Sequence, residues 1–241
     1  IPLLHGFLPC IITNPMEKIL VIGNRLLGDS VDSLPAVAAL AAAKPGAVFH
    51  LLAPPYSHAV YGALGLFKGM RALGTGAGTH PGARQGPAVR ASLFAELKAE
   101  RFELAFILPG GFSHAWLAWR LGIPVRVGHA GDWRSLLLTH RARASRLRPN
   151  FENFNLLLSA LPSPVAPAPP RLSVRGECGF APRSFFCVSP CSSEPWRMWK
   201  PAHFVSLCRL VHERTGMTPV FLGLPSERGY LEELARETGG H

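Results

Sequence analysis

The stretch KILVIGNRLLGDSVDSLP at residues 18–35 decides the fold. It begins with a continuously apolar run at 19–22 (ILVI), which is typical of a strand covered on both faces. Gly23 and Gly28 are expected to bracket a tight turn, after which apolar residues recur at helical spacing. Ligands of open parallel sheets bind outside the carboxyl ends of the strands. The pattern therefore predicts that Asp29, at the opening of the helix, faces a ligand-binding cleft.

Two common phosphate-binding loops do not fit this turn. The pattern G-x-x-x-x-G-K-[ST] needs lysine where this chain has Asp29, and a carboxylate would repel the phosphate that the lysine holds. The pattern G-x-G-x-x-G fails because Arg25 stands two residues after Gly23. From the residues alone, Asp29 is either an ordinary helix N-cap or a functional carboxylate.

The composition is that of a compact protein with room for one large or two smaller domains. Of the 241 residues, 48% are hydrophobic and 17% are charged, and the formal net charge is +10. Most of the excess is arginine, which either favours polyanionic partners or reflects genomic base composition. No nucleic-acid partner is expected, because arginines are not interleaved with aromatic residues and no helix-turn-helix or zinc-finger pattern occurs.

The cysteines and the first residues bear on the cell compartment. The five cysteines form no C-x-x-C pair and are odd in number, so neither a zinc site nor a disulfide framework is expected. No apolar run approaches the ~20 residues of a membrane helix. Residues 1–15 lack the features of a signal peptide, and we interpret them as a non-native extension before Met16. A cytoplasmic location fits these features best.

Strand and helix signals alternate along the chain, which implies βαβ units and a parallel sheet. The predicted strands are 18–22, 47–52, 103–108, 125–128, 185–189 and 218–222, and the predicted helices are 30–43, 87–100, 113–121, 202–215 and 227–237. The glycine-rich stretch 69–86 predicts a long surface loop. The proline-rich stretch 162–170 (PSPVAPAPP) predicts a linker between two Rossmann-like halves, of which the second has only two strands.

Across about residues 16–240 the chain resembles the ADP-heptose:lipopolysaccharide heptosyltransferases, glycosyltransferase family 9. The matching segments are KILVIGNRLLGDSVDSLPAVAAL at 18–40, ERFELAFILPGGFSHAWLAWRLGIPVRVGH at 100–129 and SPCSSEPWRMWKPAHFVSLCRLV at 189–211. The middle segment is most similar to heptosyltransferase II. The resemblance implies an α/β protein of the GT-B type, with two Rossmann-like domains facing a cleft.

The resemblance also implies a division of labour along the chain. An acceptor-binding domain is expected at 16–161, a proline-rich linker at 162–180 and a nucleotide-sugar-binding domain at 181–241. The family's aspartate-serine-glycine-proline stretch does not occur here. The second domain is therefore expected to be incomplete, in a chain truncated at its C-terminus.

The resemblance implies inverting transfer of a heptose from ADP-heptose to the lipopolysaccharide inner core, with Asp29 as the general base. Arg25, Gly28 and Ser30 are expected to shape the turn and to meet the acceptor, although Arg25 is equally typical of a solvated arginine. His114 follows a strand end, but the family usually has a small polar residue there. The remaining residues expected to bind the acceptor are Gly110, Gly111, Ser113, His129 and Arg134.

A basic set that includes Arg134 is expected either to contact the anionic inner core or lipid A phosphates or to form a solvated face. Its members are Arg134, His140, Arg141, Arg143, Arg146 and Arg148, with Asp132 in the same region.

The second-domain loop at 189–201 matches the region that grips the nucleotide diphosphate in the family. The residues expected to bind the donor are Ser192, Ser193, Arg197 and Trp199. Ser189 and Cys191 replace the family's histidine and glycine, Arg197 replaces its lysine, and Lys200 stands where proline is common. The alternatives are that the two serines cap the following helix and that Trp199 is a packing anchor.

The implied donor is ADP-heptose, and neither a metal nor a cofactor is expected, since no D-x-D pair lies near the diphosphate loop. The implied partners are lipopolysaccharide with its lipid A core and, peripherally, the cytoplasmic face of the inner membrane. The alternative function is a non-catalytic fragment or binding module that recognises anionic glycolipid.

Overall fold

A computed structural model describes residues 17–73, 87–173, 184–192 and 194–241. The chain forms two compact units, Ile1–Arg175 and Gly176–His241. The division falls inside the predicted linker at 162–180. The predicted N-terminal extension at 1–15 lies outside the described residues.

The first unit is built on a six-stranded sheet with the order β3-β2-β1-β4-β5-β6, and every neighbouring pair of strands is parallel. The strands are β1 (Lys18–Ile22), β2 (Val48–Ala53), β3 (Phe67–Ala72), β4 (Leu104–Ile107), β5 (Val125–His129) and β6 (His140–Ala142). The prediction of an α/β fold with a parallel sheet is confirmed.

Helices cover both faces of this sheet. They are α1 (Leu27–Ala43), α2 (His58–Gly62), α3 (Pro87–Ala99), α4 (Phe112–Arg120) and α5 (Asn150–Ser159), with short 3₁₀ helices at Pro55–Ser57 and Asp132–Leu136. The core on one face includes residues of α1 and α5, and the core on the other includes residues of α3 and α4. The predicted helices are confirmed to within a few residues at their ends.

Strand β1 explains why the opening stretch determines the fold. All four residues at 19–22 are fully buried. Ile19 and Val21 belong to the core on one face, whereas Leu20 and Ile22 belong to the core on the other. Alternate side chains of a strand point to opposite faces, so a strand that is covered on both faces has to be apolar throughout.

Two expectations about irregular segments need correction or extension. The predicted loop at 69–86 is wrong for residues 69–72, which complete β3, while 74–86 lie outside the described residues. Gly69 fits the strand because a Cβ there would lie 3.2 Å from Nδ1 of His50 on β2. The described part of the proline-rich segment runs along the first unit, where Val165 donates its backbone N–H to the carbonyl of Leu158 and packs against the core.

The described residues of the second unit form a two-stranded parallel sheet and two α-helices, as the sequence predicts. The elements are β7 (Phe185–Val188), α6 (Pro201–Thr215), β8 (Thr218–Phe221) and α7 (Arg228–Thr238), with 3₁₀ helices at Pro195–Arg197 and Pro225–Glu227. The buried residues of its core are Val188, Val205, Cys208, Phe221 and Leu234.

Candidate active site

A cavity of about 410 Å³ opens at the carboxyl ends of the central strands of the first unit. Strand β1 lies between β2 and β4, so the direction in which strands are added to the sheet reverses here. This reversal marks the usual ligand-binding position of an open α/β sheet. The cavity is lined by Gly23, Asn24, Arg25, Leu26 and Asp29 after β1, by Pro54 and Tyr56 after β2, by Leu73 after β3, and by Pro109, Gly110 and His114 after β4.

Asp29 is the third residue of α1, which begins at Leu27. The N-cap position belongs to Leu26, so the interpretation of Asp29 as an ordinary N-cap is wrong. The Asp29 side chain is partly buried and borders the cavity, and Nδ2 of Asn150 donates to its Oδ1 at 3.2 Å. Burial, together with the nearby charge of Asp32, raises the pKa of Asp29 above the ordinary value of a carboxyl.

A buried hydrogen-bond network fixes the turn that presents Asp29. The backbone N–H of Asn24 donates to Oη of Tyr61 at 3.0 Å, and the side-chain amide of Asn24 donates to the carbonyl of Asp29 at 2.9 Å. Oη of Tyr61 also lies 3.0 Å from Oγ of Ser33, on the second turn of α1. Because Asn24, Ser33 and Tyr61 are all buried, these bonds hold the start of α1 against β1 and α2.

The two glycines of the turn have different environments. A Cβ on Gly23 would lie 2.8 Å from Cβ of Ala53 and 2.8 Å from Cε2 of Tyr61, so this position has no room for a side chain. Gly28 lies inside α1, where a Cβ would have no contact within 4 Å among the described residues beyond its own helix. The expectation that Gly28 closes the turn is therefore wrong, because its conformation is helical and its surroundings are open.

The other two residues predicted to shape the turn also differ from each other. Ser30 is fully buried, and its hydroxyl donates to the carbonyl of Leu26 at 2.8 Å. Ser30 therefore stabilises the turn, and its side chain is not accessible to an acceptor. Arg25 is exposed at the rim of the cavity, where its charge lies close enough to affect the pKa of Tyr56.

Arg134 lines a second cavity, of about 450 Å³, which shares Gly110 with the first. Its Nε donates to the carbonyl of His129 at 2.8 Å and its Nη2 donates to the carbonyl of Ala130 at 3.0 Å. Its guanidinium passes so close to Gly131 that a Cβ there would lie 2.4 Å from Nη2. The described residues provide no carboxylate within ion-pairing distance of Arg134, so a fixed positive charge faces this cavity.

The two histidines near the site are largely buried. Burial lowers the pKa of His114, whose Nδ1 lies against the Gly111 backbone without forming a hydrogen bond. Burial and the charge of Arg134 lower the pKa of His129 to about 4, and its ring packs beside Phe154 of α5 at 6.1 Å. His129 is buried and lines neither cavity, so the structure lends no support to its predicted contact with the acceptor.

The remaining acceptor residues lie at the surface of the first unit. Gly111 is the N-cap of α4, and Ser113 is exposed on its first turn. Apart from Arg134, the basic set lies on and after β6, where His140 is partly exposed and Arg141, Arg143, Arg146 and Arg148 are exposed. Arg148 has an ion pair with Glu152 at 3.9 Å.

In the second unit, the predicted donor residues lie on the loop before α6. Oγ of Ser192 accepts the backbone N–H of Glu194 at 3.3 Å and so does not cap α6, and Ser193 lies outside the described residues. The N-cap of α6 is Lys200, which makes no side-chain capping bond to the described residues. Arg197 is exposed. Trp199 packs against Phe204 at 5.7 Å but keeps an exposed fraction of 56%, so it is an anchor with one open face.

Three residues that hold Asp29 and its turn in place are missing from the sequence-based prediction: Asn24, Tyr61 and Asn150. Asn24 lies between two predicted functional residues and could have been included by proximity. Tyr61 and Asn150 belong to α2 and α5, which the sequence analysis did not identify. The spacing of Phe154, Leu157 and Leu158 in α5 is the signal that could have revealed that helix.

Within the described residues, no cluster of three or more His, Cys, Asp or Glu side chains could hold a metal ion. No helix in that part of the chain is both long and apolar enough to cross a membrane.

Residues 90–240 match the family model of glycosyltransferase family 9 (heptosyltransferase), which is more than half of the chain. The search of curated proteins returned no match. Among solved structures, the fold is similar to the ADP-heptose LPS heptosyltransferase II of E. coli, with a TM-score of 0.70 and 21% identity over 91% of this chain and 68% of that one.

Two further solved structures have the same fold. A glycosyl transferase of family 9 from Veillonella parvula DSM 2008 has a TM-score of 0.72 and 16% identity over 93% of this chain and 67% of its own. The E. coli heptosyltransferase WaaC with ADP-2-deoxy-2-fluoro heptose has a TM-score of 0.68 and 17% identity over 92% of this chain and 74% of its own.

Proposed function

The chain belongs to glycosyltransferase family 9, and from that premise we propose that it transfers a heptose from ADP-heptose to the lipopolysaccharide inner core. The similar E. coli structures are named for ADP-heptose, lipopolysaccharide and heptosyl transfer, which supports this donor and acceptor. The observation that supports the chemistry most directly is the carboxylate of Asp29 at the switch point of the sheet, bordering a cavity and held by Asn150.

In the proposed reaction, Asp29 is the general base. An acceptor hydroxyl attacks the anomeric carbon of the heptose, and its proton passes to Asp29 as the new carbon–oxygen bond forms. The bond between that carbon and the diphosphate breaks on the opposite side, so ADP leaves and the configuration inverts. A raised pKa suits this role, because a base is most effective when its pKa approaches the working pH.

Asn150 acts as a positioning residue for this base. Its amide donates to Oδ1 of Asp29, which leaves Oδ2 to accept the acceptor proton. The network of Asn24 and Tyr61 fixes the backbone on the other side of Asp29. Asp29 is thus restrained at its side-chain Oδ1 by Asn150 and at its backbone carbonyl by Asn24.

The acceptor would lie across the two cavities that share Gly110. Arg25 and Arg134 supply positive charge at this edge, and guanidinium groups bind the carboxylates and phosphates of an inner core in a bidentate manner. The open space beside Gly28 allows close approach to the base. The partly buried Gly111 and the exposed Ser113 complete this acceptor surface, so residues 16–161 form the proposed acceptor-binding domain.

The donor would be held by residues 181–241. Arg197 provides a guanidinium for a diphosphate, and the dipole of α6 adds a positive potential at its N-terminus, where Pro201 has no N–H and the N–H of His203 already donates to the carbonyl of Lys200. Ser192 adds a hydroxyl and Trp199 an open aromatic face. Under this proposal, these groups stabilise the departing ADP without a metal ion or a cofactor.

The experiment is a transfer assay with ADP-heptose and heptose-deficient lipopolysaccharide, analysed by mass and by the anomeric configuration of the product. The matched control acceptor is lipopolysaccharide whose inner core already contains the heptose. We expect one heptose to be added to the deficient acceptor with inverted configuration. Binding of both substrates without transfer would overturn the proposal in favour of a binding module, and retention of configuration would overturn the single-step mechanism.

A further inference from the structure

The outer surface of the first unit has an unusual cluster of exposed aromatic and apolar side chains, here called the aromatic patch. The exposed fraction is 76% for Trp133, 75% for Leu136, 52% for both Phe112 and Trp119, and 41% for Trp116. Large apolar groups that are exposed together mark interaction surfaces more often than isolated ones do.

The fold brings these side chains to one side of the unit. Phe112, Trp116 and Trp119 have the i, i+4, i+7 spacing of one helical face, and the opposite face of α4 buries Ala115 and Ala118 in the core. The 3₁₀ helix at Asp132–Leu136 packs against α4. Phe112 and Trp133 line the same cavity, which joins the two parts of the patch.

Arginines surround the aromatic patch. The Arg120 guanidinium lies 4.8 Å from the ring centre of Trp116. Nε of Arg126 donates to the carbonyl of Leu137, next to the 3₁₀ helix, and Arg134 and Arg141 contact the same region. The acidic residue of this 3₁₀ helix is Asp132, which is exposed.

The charge of these arginines is not neutralised by the part of the chain that the structure describes. None of Arg120, Arg126, Arg134 and Arg141 forms an ion pair with a described carboxylate. The surface therefore combines exposed tryptophans with uncompensated guanidinium groups.

We propose that the aromatic patch docks the protein on an anionic lipid bilayer. Tryptophan is favoured at the membrane interface because its ring is apolar and its N–H remains hydrated. Arginine beside it reaches the phosphates of the headgroups, and anionic lipids attract each such charge. The charge complementarity favours a bilayer over a second copy of this basic chain.

This inference deepens the proposed function, because an acceptor built on lipid A is itself embedded in a bilayer. The surface shares Arg134 and Arg141 with the basic set and adds the aromatic side chains of α4 and of the 3₁₀ helix, and its test does not depend on transfer. A failure of membrane docking and a failure of heptosyl transfer are therefore distinguishable.

The test is flotation with vesicles of phosphatidylethanolamine and phosphatidylglycerol, beside vesicles of phosphatidylcholine. The variants are the double substitution Trp119→Ser/Trp133→Ser and, as a matched control, Trp196→Ser in the second unit, whose exposed fraction of 77% is close to the 76% of Trp133. We expect wild type and Trp196→Ser to float with the anionic vesicles and the double variant to bind roughly tenfold more weakly. Arg120→Gln is expected to weaken binding to anionic vesicles at low salt and to change little at high salt.

Two measurements keep the result interpretable. Thermal unfolding of the double variant should match the wild type, because both replaced side chains are exposed. In the wild type, brominated lipids should quench tryptophan fluorescence, a readout that needs no substitution. Equal flotation of the double variant and wild type would overturn the proposal. The proposal would also be overturned if the wild type bound neither kind of vesicle, or if the double substitution only dissociated a dimer.

Discussion

Replacing Gly23 by alanine should destabilise the first unit, whereas the same replacement at Gly28 should not. A Cβ on Gly23 would come within 2.8 Å of both Ala53 and the Tyr61 ring. Tyr61 is fully buried and its hydroxyl bonds to Asn24, so the ring cannot move away without breaking the network. The Gly28 position is open and helical.

The magnitude follows from these contacts. Forcing an extra methyl group into a packed site costs about 1–3 kcal/mol, which exceeds the ~0.4–1 kcal/mol that alanine gains by restricting the unfolded chain. At Gly28 the overpacking cost is absent, and alanine is favoured over glycine in a helix by up to about 1 kcal/mol. For a unit of this size, each kcal/mol shifts the melting temperature by about 2–4 °C.

Scanning calorimetry of the two variants beside the wild type measures both effects. We expect the transition of the first unit to fall by several degrees in Gly23→Ala and to stay level or rise in Gly28→Ala. Equal melting temperatures for wild type and Gly23→Ala would refute the packing argument. A large loss of stability in Gly28→Ala would refute the assignment of open space around that residue.

Three further outcomes are expected from the same site. Tyr61→Phe should cost about 1–3 kcal/mol in thermal or urea unfolding, because the buried N–H of Asn24 loses its acceptor; an unchanged stability would contradict the network. The pKa of His129 is about 4 in the fold, below the ~6.5 of an unfolded chain, so stability should fall by up to about 3 kcal/mol as the pH drops from about 6.5 to 4. His129→Gln should reduce this fall in the free energy of unfolding with pH, and an unaltered pH profile would contradict the lowered pKa of His129 as its cause. Asn150→Ala should raise the pKa of Asp29, moving the acidic limb of the kcat/KM profile to higher pH; an unmoved limb would mean that the bond at Oδ1 has no influence.

Four of the six strands of the first sheet and three of its five helices could be predicted from the sequence because their signals are local, whereas the three-residue β6 was not predicted. The apolar run at 19–22 and the helical spacing that follows it depend only on neighbouring residues. Strand β3 was not predicted, because a glycine such as Gly69 is typical of loops. Only the structure shows that Gly69 lies close to His50 on the neighbouring strand. Helix α5 was missed although its buried residues have helical spacing.

Only part of the site could be predicted from the sequence, because several of its contacts join residues that lie far apart in the chain. The place of Asp29 after β1 predicted that it belongs to the site. Its partner Asn150, however, lies 121 residues away in sequence, and Tyr61 lies 37 residues from Asn24. A strand end locates a residue at the edge of a sheet without saying which way its side chain points. His129 illustrates this limit, because it ends β5 yet turns its ring into the core.

The most direct test of Asp29 as the base compares Asp29→Asn with Asp32→Asn in the heptosyl transfer assay across pH. The carboxylates lie one helical turn apart on α1, and Asp32 is one source of the raised pKa of Asp29. We expect Asp29→Asn to lose about 10²–10⁴-fold in kcat with no loss of stability, because the folded site disfavours the charge that is removed. Asp32→Asn should keep its activity and shift the acidic limb to lower pH, since a like charge is gone. Transfer by Asp29→Asn within a few-fold of wild type would contradict the account.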